Sequence, residues 1–294
     1  MADQALHPYA TPLYAEALGH IGRPVPMPEW SSFVLGRAVP GETAEDATGA
    51  YPLAVMAVDC DLEAGLARLA GEGPISLVLV ADPLSGPSPE RLAAAFTLCR
   101  PFKTHYLLEG RSEPTKHHRE RIRRGLRRCR IEVVALADHL EGWTGLYAGL
   151  VERRTIGGAA DFPPAYFEAL AREPRLVAFA AFVDGDLAGM TLWFAHAGAV
   201  YNHLTASNAT GYANGANFAL YASAIDHFQA AGVINLGGGA GFSDDPNDGL
   251  AAFKRGFANA ETKAHLCGAV LDPVRYAALN GDRPRTNFFP AYRG

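Results

Sequence analysis

The sequence predicts a mixed α/β fold built in two parts. In the first part, apolar runs typical of strands alternate with helical patterns, in the rhythm of βαβ units. In the second part, two helices precede three meandering strands, the first two joined at the hairpin signal Asp184-Gly185. The two parts have comparable lengths, which is consistent with degenerate copies of one domain.

The first part begins with a short helix and continues through strands and helices in alternation. Hydrophobic periodicity predicts a helix at 13–18, strands at 32–39, 53–58 and 75–81, a helix at 88–98, a strand at 105–110, a basic helix, and a strand at 131–136. The helix at 88–98 opens on the capping residue Ser88.

The second part begins with helices and then changes to the two-residue period of strands. The pattern predicts helices at 138–154 and 164–171, three strands within 176–207, a helix at 214–231, a strand at 233–237, a helix at 249–257 and a strand at 263–266. A glycine-rich turn separates the strand at 233–237 from the following helix.

Composition excludes several classes of protein. Of the 294 residues, 49% are apolar, which is enough for one large core or two smaller ones and excludes disorder as the main state. The 26 Lys and Arg residues against 31 Asp and Glu residues give a net charge of −5, so a uniformly basic nucleic-acid packager is also excluded. A polyanionic partner would have to bind a local surface.

The termini and the cysteines predict a cytoplasmic protein without metal or cofactor. The first residues lack a secretory signal, so we expect the mature chain to begin near Met1. The most apolar stretch, 176–194, is interrupted by Asp184 and Asp186 and cannot be a membrane span. The four cysteines lie in separate segments without metal-ligand spacing, and we expect reduced thiols.

Residues 111–130 form a strongly basic segment. Nine Lys or Arg residues against two Glu residues give it a charge of +7, which leaves −12 for the rest of the chain. Like charges four residues apart destabilise a helix unless an anion is present. The segment therefore predicts a helix that binds the phosphates of RNA or of a small molecule, and the alternative is pairing with acidic residues elsewhere in the chain.

The glycine-rich turn and the helix after it are the second feature that points to chemistry. Three glycines, 237–239, offer backbone N–H groups to an anion, but Phe242 stands where a dinucleotide fingerprint needs its third glycine. The chain has only four lysines, and Lys254 stands between Phe253 and Arg255. We interpret Lys254 as a charge for a developing oxyanion, with an ordinary exposed lysine as the alternative.

No covalent nucleophile is recognisable. The sequence lacks GxSxG and SxxK motifs and a cysteine in a catalytic context. The remaining chemistry is direct attack by an amine on an activated acyl donor, for which the protein positions the reactants and stabilises the tetrahedral intermediate.

Four segments together resemble a known family. The longest, 199–258, reads AVYNHLTASNATGYANGANFALYASAIDHFQAAGVINLGGGAGFSDDPNDGLAAFKRGFA and links a strand, a GAN-initiated helix, LGGG and FKRGF. Looser matches cover WTGLYAGLVERRTIGGAADFPPAYFEAL, KHHRERIRRGLRRCRIEVV and YATPLYAEAL. These segments resemble the Fem-type (FemX, FemA and FemB) branch of the GNAT acyltransferase superfamily.

The sequence lacks the long helical arm of some family members. The resemblance implies two tandem GNAT-like domains with a cleft between them. It places an acceptor-side domain at 1–136 and a donor-side domain at 137–294. It also implies transfer of an amino acid from aminoacyl-tRNA to the amine of a peptide, a natural-product intermediate or a cell-wall precursor, with no cofactor, no membrane partner and a monomeric enzyme. Peptidoglycan synthesis and antibiotic biosynthesis are the two expected settings.

The resemblance and the residue patterns give a set of expected site residues. Lys254 stabilises the oxyanion beside Phe253, and the candidate bases are Asp248, Asp245 and His203, with the ribose hydroxyl of the donor as a further proton relay. Acceptor binding is expected from Arg153, Tyr51 and Asp46. Donor and RNA binding is expected from Arg255, Lys116, Arg119, Arg123, Arg127, Gly237, Gly238 and Gly239.

Two other functions stay open. The sequence lacks the Gln/Arg-x-x-Gly-x-Gly/Ala loop with which GNAT enzymes hold acetyl-CoA, which disfavours that donor, yet an acyl-CoA-dependent small-molecule N-acyltransferase is the second hypothesis. A non-catalytic RNA-binding module is the third, and it leaves LGGG and FKRGF unexplained.

Overall fold

The computed structural model describes residues 6–245, 247–281 and 288–294, which form two compact units. The first unit comprises Met1–Phe102 and Lys263–Gly294, and the second comprises Lys103–Thr262. The chain therefore leaves the first unit, completes the second, and then returns to the first.

Helices and strands occur throughout the described residues. The helices are α1 (Pro12–Ala17), α2 (Leu62–Gly71), α3 (Pro89–Ala95), α4 (Lys116–Arg128), α5 (Leu140–Arg154), α6 (Pro164–Leu170), α7 (Ala209–Asn214), α8 (Ala216–His227), α9 (Gly249–Arg255) and α10 (Pro273–Asn280). The strands are β1 (Arg23–Met27), β2 (Ser32–Ala38), β3 (Glu45–Gly49), β4 (Ser76–Ala81), β5 (Leu98–Glu109), β6 (Arg130–Val134), β7 (Leu176–Val183), β8 (Asp186–His196), β9 (Ala199–Ser207), β10 (Val233–Asn235) and β11 (Ala260–Val270).

The first unit is a sheet in the order β1-β2-β3-β4-β11. Neighbouring strands are antiparallel except for the parallel pair β3 and β4. Its core includes the fully buried Trp30, whose indole lies 2.2 Å from where a Cβ would stand on Gly65 of α2. Only glycine allows this helix to approach the indole so closely.

A buried carboxylate fastens the C-terminal residues to this sheet. Asp46 of β3 is fully buried and accepts hydrogen bonds from Arg37 at 3.0 Å, from the Arg293 guanidinium, and from the Tyr292 hydroxyl at 3.1 Å. The same hydroxyl lies 2.8 Å from Oγ of Ser76 on β4. Asp46 thus holds charged and polar groups from two distant parts of the sequence.

The second unit is a sheet in the order β5-β10-β9-β8-β7-β6. Strand β10 is antiparallel to β5 and parallel to β9, and the remaining pairs are antiparallel. Asp184 and Gly185 join β7 to β8 with φ angles of 53° and 95°, the left-handed turn that the Asp-Gly signal predicts.

Helices pack on this sheet through aromatic and small residues. Tyr221 of α8 packs against the buried Trp193 of β8. Helix α4 lies close to α8, because a Cβ on Gly125 would stand 2.6 Å from the Gly215 carbonyl oxygen. A second cluster contains Trp143 of α5 and Phe167 of α6, with their rings edge to face.

The sequence-based elements agree with the structure except in a few places. The predicted strand 53–58 forms only a single parallel bridge, between Ala54 and Ala81, since β3 already pairs with the first half of β4. The predicted strand at 105–110 is the end of the longer β5, and α7 begins before the predicted helix at 214–231. Strands β1 and β3 and helices α2 and α10 were not predicted.

The division into units differs from the boundary expected after residue 136. The basic helix α4 and strand β6 lie in the second unit because β6 pairs with β7 along its length. Strand β11 returns the chain to β4, so the C-terminal residues belong to the first unit. Within the described ranges, no helix is both long and apolar enough to cross a bilayer.

Candidate active site

The candidate site is built on a glycine loop, residues 236–241, between β10 and α9 of the second unit. Asn235, the last residue of β10, precedes the loop, and its Oδ1 accepts a hydrogen bond of 2.8 Å from the Gly237 N–H. Asp248 caps α9, since its Oδ1 accepts from the N–H groups of Ala251 and Ala240, each at 2.9 Å. Gly237 has a φ of 79°, a conformation in which glycine avoids strain. The loop is therefore fixed at both ends.

Two of the four lysines are buried against this loop. Lys254 of α9 is 7% exposed and donates to the Gly238 carbonyl at 2.8 Å. Its Nζ lies 2.9 Å from where a Cβ would stand on Gly237. Lys103 of β5 is also 7% exposed and donates to the carbonyls of Ala240 at 2.9 Å and Ser243 at 2.6 Å.

The two lysines differ in their surroundings. Burial lowers the pKa of Lys254 to about 7, against the attraction of Asp248, and Lys103 lowers it further. Burial also lowers the pKa of Lys103, opposed by Asp244 and Asp248. Among the described residues, no carboxylate forms an ion pair with Lys254. Lys103 is occupied in holding the loop, whereas Lys254 has few partners, so Lys254 is the cation available to a reacting group.

A buried histidine lies beside the same loop. His105 of β5 is 8% exposed, and its Nδ1 lies 3.1 Å from Oδ1 of Asn235. A Cβ built on Gly238 would stand 3.7 Å from the Cδ2 atom of His105. Burial lowers the pKa of His105 to about 4, and the positive charge of Lys254 acts in the same direction. The imidazole is therefore neutral near pH 7.

Helix α9 is connected to α4 through His118. The Nε2 of this buried side chain lies 2.8 Å from the Phe253 carbonyl oxygen, and its Nδ1 lies 3.1 Å from Thr115 Oγ1. A Cβ on Gly256 would stand 2.0 Å from the His118 ring, so glycine is needed there. The Phe253 ring packs edge to face with Tyr221, at 4.8 Å between ring centroids. Phe253 is thus partly buried in the core, while Lys254 next to it contacts the loop.

The three predicted bases lie in different surroundings. Asp248 is the cap of α9; burial raises its pKa, but backbone N–H groups, with that of Ala240 first, outweigh burial and hold the pKa below its usual value. Asp245 is exposed and accepts from the Asn247 N–H at 2.8 Å. His203 is buried, 2.7 Å from the Tyr166 hydroxyl, and burial lowers its pKa to about 3.

His203 is also on the other side of the sheet from α9. A register shift leaves it without a partner on β8, as the extra residue of a β-bulge. The preceding Asn202 accepts from Tyr221 of α8, whereas His203 contacts Tyr166 of α6. The structure therefore does not bring His203 to the glycine loop.

Of the predicted acceptor-binding residues, Arg153 belongs to the second unit, and Tyr51 and Asp46 belong to the first. Arg153 at the end of α5 donates to the Ser207 carbonyl at 2.7 Å and lies over the Tyr212 ring. Tyr51 belongs to the first unit, and burial raises the pKa of its phenol. Asp46 is enclosed by the arginines and the tyrosine described above, which gives it a structural role and corrects its assignment to the acceptor site.

The basic helix exposes a row of cations. Lys116, Arg119, Arg123 and Arg127 follow one another at helical spacing, and all but the half-buried Arg119 are exposed. Arg119 pairs with the exposed Glu113 at 3.2 Å. In the part of the chain that the structure describes, the other three form no ion pair. This observation favours the anion-binding interpretation over pairing within the chain.

The remaining donor-side residues surround the loop. Gly237, Gly238 and Gly239 form its first half, and Arg255 is exposed at the end of α9. Sequence reasoning missed Lys103, His105 and Asn235. The scarcity of lysine is a signal that could have identified Lys103, but nothing in the sequence indicates that β5 lies beside β10. Within the described residues, no cluster of three His, Cys, Asp or Glu side chains is arranged for a metal ion.

Comparisons with known proteins identify the fold. Residues 116–255 match the family model described as an acetyltransferase (GNAT) domain. The crystal structure of FemX aligns with a TM-score of 0.67 and 12% identity, covering 95% of this chain and 97% of that chain. This chain has the Fem-type GNAT fold. No curated protein matches the sequence.

Two further structures share the Fem-type fold. L-PGS from Bacillus licheniformis aligns with a TM-score of 0.59 and 11% identity, over 90% of this chain and 93% of that one. The C-terminal domain (DUF2156) of a putative lysylphosphatidylglycerol synthetase from Agrobacterium fabrum aligns with a TM-score of 0.58 and 16% identity, over 84% and 85%. These similarities confirm the predicted mixed α/β fold and the Fem-type resemblance.

Proposed function

We propose that this protein is an aminoacyltransferase that moves an amino acid from aminoacyl-tRNA to an amine and so forms an amide bond. The observation that carries the proposal is Lys254, a buried lysine held against the glycine loop of a GNAT fold. Burial of a cation without a paired anion costs free energy, and a catalytic role explains why a lysine stands here. An oxyanion formed at this loop would accept a hydrogen bond from Lys254 and be stabilised by its positive charge.

The donor is inferred from the second unit. The row Lys116, Arg119, Arg123 and Arg127 on α4 offers phosphate contacts, and His118 connects this helix to α9. The names of the structural neighbours, FemX and two lysylphosphatidylglycerol synthetase-type proteins, support a tRNA-linked donor. Arg255 and the glycine loop would contact the end of the donor that carries the ester.

The acceptor is an amine of a peptide, a natural-product intermediate or a cell-wall precursor. Arg153 and Tyr51 stay as proposed acceptor contacts. In the reaction, the amine nitrogen bonds to the acyl carbon, and the ester bond to the ribose oxygen breaks. The proton lost by the amine ends on the ribose oxygen. Because the ester is already activated, orientation of the reactants can supply ~7–11 kcal/mol of the barrier reduction.

The test compares three ligands: total tRNA charged with radiolabelled amino acids, the same tRNA uncharged, and acetyl-CoA. Binding is measured at low and at physiological salt, and transfer is measured to a panel of amines and dipeptides. We expect preference for the charged tRNA and formation of a labelled amide. Binding of acetyl-CoA with indifference to tRNA would overturn the tRNA-dependent function.

The family model gives a reason to keep a second candidate. It describes an acetyltransferase domain, which favours an acyl-CoA-dependent N-acyltransferase acting on a small amine. Saturable acetyl-CoA binding and acetyl transfer in the same assay would support this candidate. Salt-sensitive RNA binding that ignores the aminoacyl group, without transfer, would instead support the RNA-binding module.

A further inference from the structure

The environment of His105 fixes which of its nitrogens carries a proton. Oδ1 of Asn235 accepts the Gly237 N–H at 2.8 Å, so the atom facing His105 is the amide oxygen and not the amide nitrogen. A neutral imidazole within hydrogen-bond distance of an acceptor must donate to it. The Nδ1 of His105, at 3.1 Å from that oxygen, therefore carries the hydrogen, and Nε2 carries the lone pair.

Nε2 of His105 has no described hydrogen-bond partner, and it is bonded to the ring atom that approaches the glycine loop. His105 Cδ2, the ring atom bonded to Nε2, approaches Gly238, the residue whose carbonyl accepts from Lys254. The charged groups around the ring are Lys254 of α9, Lys103 of β5 and Asp244, which lies between the glycine loop and α9. Burial first, and then two cations against one carboxylate, keep the imidazole neutral, which is the state a base requires.

The three predicted bases are less suitable. The Asp248 carboxylate is occupied by backbone N–H groups, Asp245 is bound to its own turn, and His203 is on the opposite face of the sheet. His105 is oriented by Asn235 in the way that a carboxylate or amide orients the histidine of other acyl-transfer sites.

We propose that His105 is the general base of the transfer reaction, with Asn235 as its positioning residue. This proposal rests on the proposed acyl-transfer function. His105 Nε2 takes the proton from the attacking amine as the bond from nitrogen to the acyl carbon forms, and Lys254 hydrogen-bonds the oxyanion. The protonated His105 then gives the proton to the leaving oxygen as the ester bond breaks, which returns the imidazole to its starting form.

The test uses the full-length protein, the variants His105→Asn and His105→Gln, and the donor that the wild type uses. His105→Asn places an amide N–H near the position of Nδ1 and keeps the contact to Asn235, but it has no basic nitrogen. His105→Gln places a non-basic amide near the position of Nε2. Single-turnover transfer is measured with glycinamide, and with hydroxylamine, which is a neutral nucleophile near pH 7 and depends less on a base.

We expect both variants to bind the donor like the wild type and to transfer to glycinamide at least ~100-fold more slowly. We expect a much smaller deficit with hydroxylamine and partial recovery with added imidazole. An unchanged glycinamide rate would overturn the role of His105 and leave the proposed function intact. An equal loss with both acceptors, or a ¹⁵N spectrum showing the hydrogen of His105 on Nε2, would also overturn it. A wild type that transfers from no donor would overturn the proposed function and this role with it.

Discussion

Lys254 shows how a single residue can oppose stability and support chemistry. The side chain is buried, donates to one described carbonyl, and has its pKa lowered to about 7, because burial penalises its charged form. In the unfolded chain the same ammonium titrates near its ordinary value. A hydrophobic side chain of similar shape would avoid this penalty, so the lysine is explained by what it does for a reacting group.

Lys254→Met is expected to lower the turnover of aminoacyl transfer by ~10²–10³ because the oxyanion loses its hydrogen bond and its positive charge.

The same variant should change how stability depends on pH. The folded pKa of Lys254, about 7, lies below its value in the unfolded chain, so the unfolded state binds more protons between these two values. This lysine therefore destabilises the protein most below pH 7. The variant should therefore be more stable than the wild type near pH 6, with the difference shrinking toward pH 10. Chemical denaturation across this range measures it, and Lys263→Met, on β11, is the control. Unchanged turnover in the folded variant would remove Lys254 from the mechanism.

We expect the pH dependence of transfer to follow the ionisation of Lys254 and His105. Oxyanion stabilisation needs the ammonium form of Lys254, so the rate at saturating donor should fall as the pH rises through about 7. His105 must be neutral to act as a base, so the rate should fall as the pH decreases through about 4. Dividing the rate by the neutral fraction of glycinamide at each pH separates these limbs from titration of the acceptor amine. In Lys254→Met the alkaline limb should vanish, and its persistence would assign that limb to another group.

At the scale of elements, α4 has two faces with different tasks. One face packs closely on α8 at Gly125 and connects to α9 through His118. The other carries the exposed row of cations. A polyanion bound to this row would therefore contact a helix that is hydrogen-bonded to the backbone next to Lys254.

The double variant Arg123→Gln/Arg127→Gln tests the outer face. We expect weaker binding of tRNA and a slope of log K against log salt that is less steep by about 1–2, because up to two phosphate contacts are lost. Arg121→Gln/Arg128→Gln is the matched control, since these two exposed arginines lie on another side of the same helix. Equal effects from the control and the double variant would mean that binding follows total charge and not this row.

The sequence predicts elements well where a local pattern determines them. The β7–β8 hairpin follows from alternation and the Asp-Gly turn, and α4 lies within the basic segment 111–130, which predicts a helix. The predicted strand 53–58 shows the limit, because an apolar run cannot reveal that another strand occupies the neighbouring position. The sequence predicts the glycine loop and the α9 part of the candidate site, but not the part on β5. His105 and Lys103 reach the loop through the pairing of β5 with β10, which joins residues more than a hundred positions apart.

At the scale of the whole molecule, the Asp46 cluster fastens the end of the chain to the first unit. Asp46→Asn leaves the partly buried Arg37 and Arg293 without the counter-charge of the fully buried carboxylate, and we expect a loss of about 3–5 kcal/mol in the free energy of unfolding. Glu45→Gln, at the adjacent position, breaks only the exposed pair with Arg23 and should cost less than about 1 kcal/mol. Urea denaturation distinguishes the two. Similar losses would show that Asp46 contributes no more than a surface charge.

The nested path of the chain has a consequence for synthesis on the ribosome. Folding during translation usually proceeds from the first domain to the last. Here the second unit is complete at Thr262, while the first still lacks β11, the neighbour of β4, and the partners that Arg293 and Tyr292 provide for Asp46. The N-terminal part of the first unit is synthesised first, but its sheet is not complete until β11 has been made. The second unit, which carries Lys254 and His105, therefore has all of its residues before the first unit does.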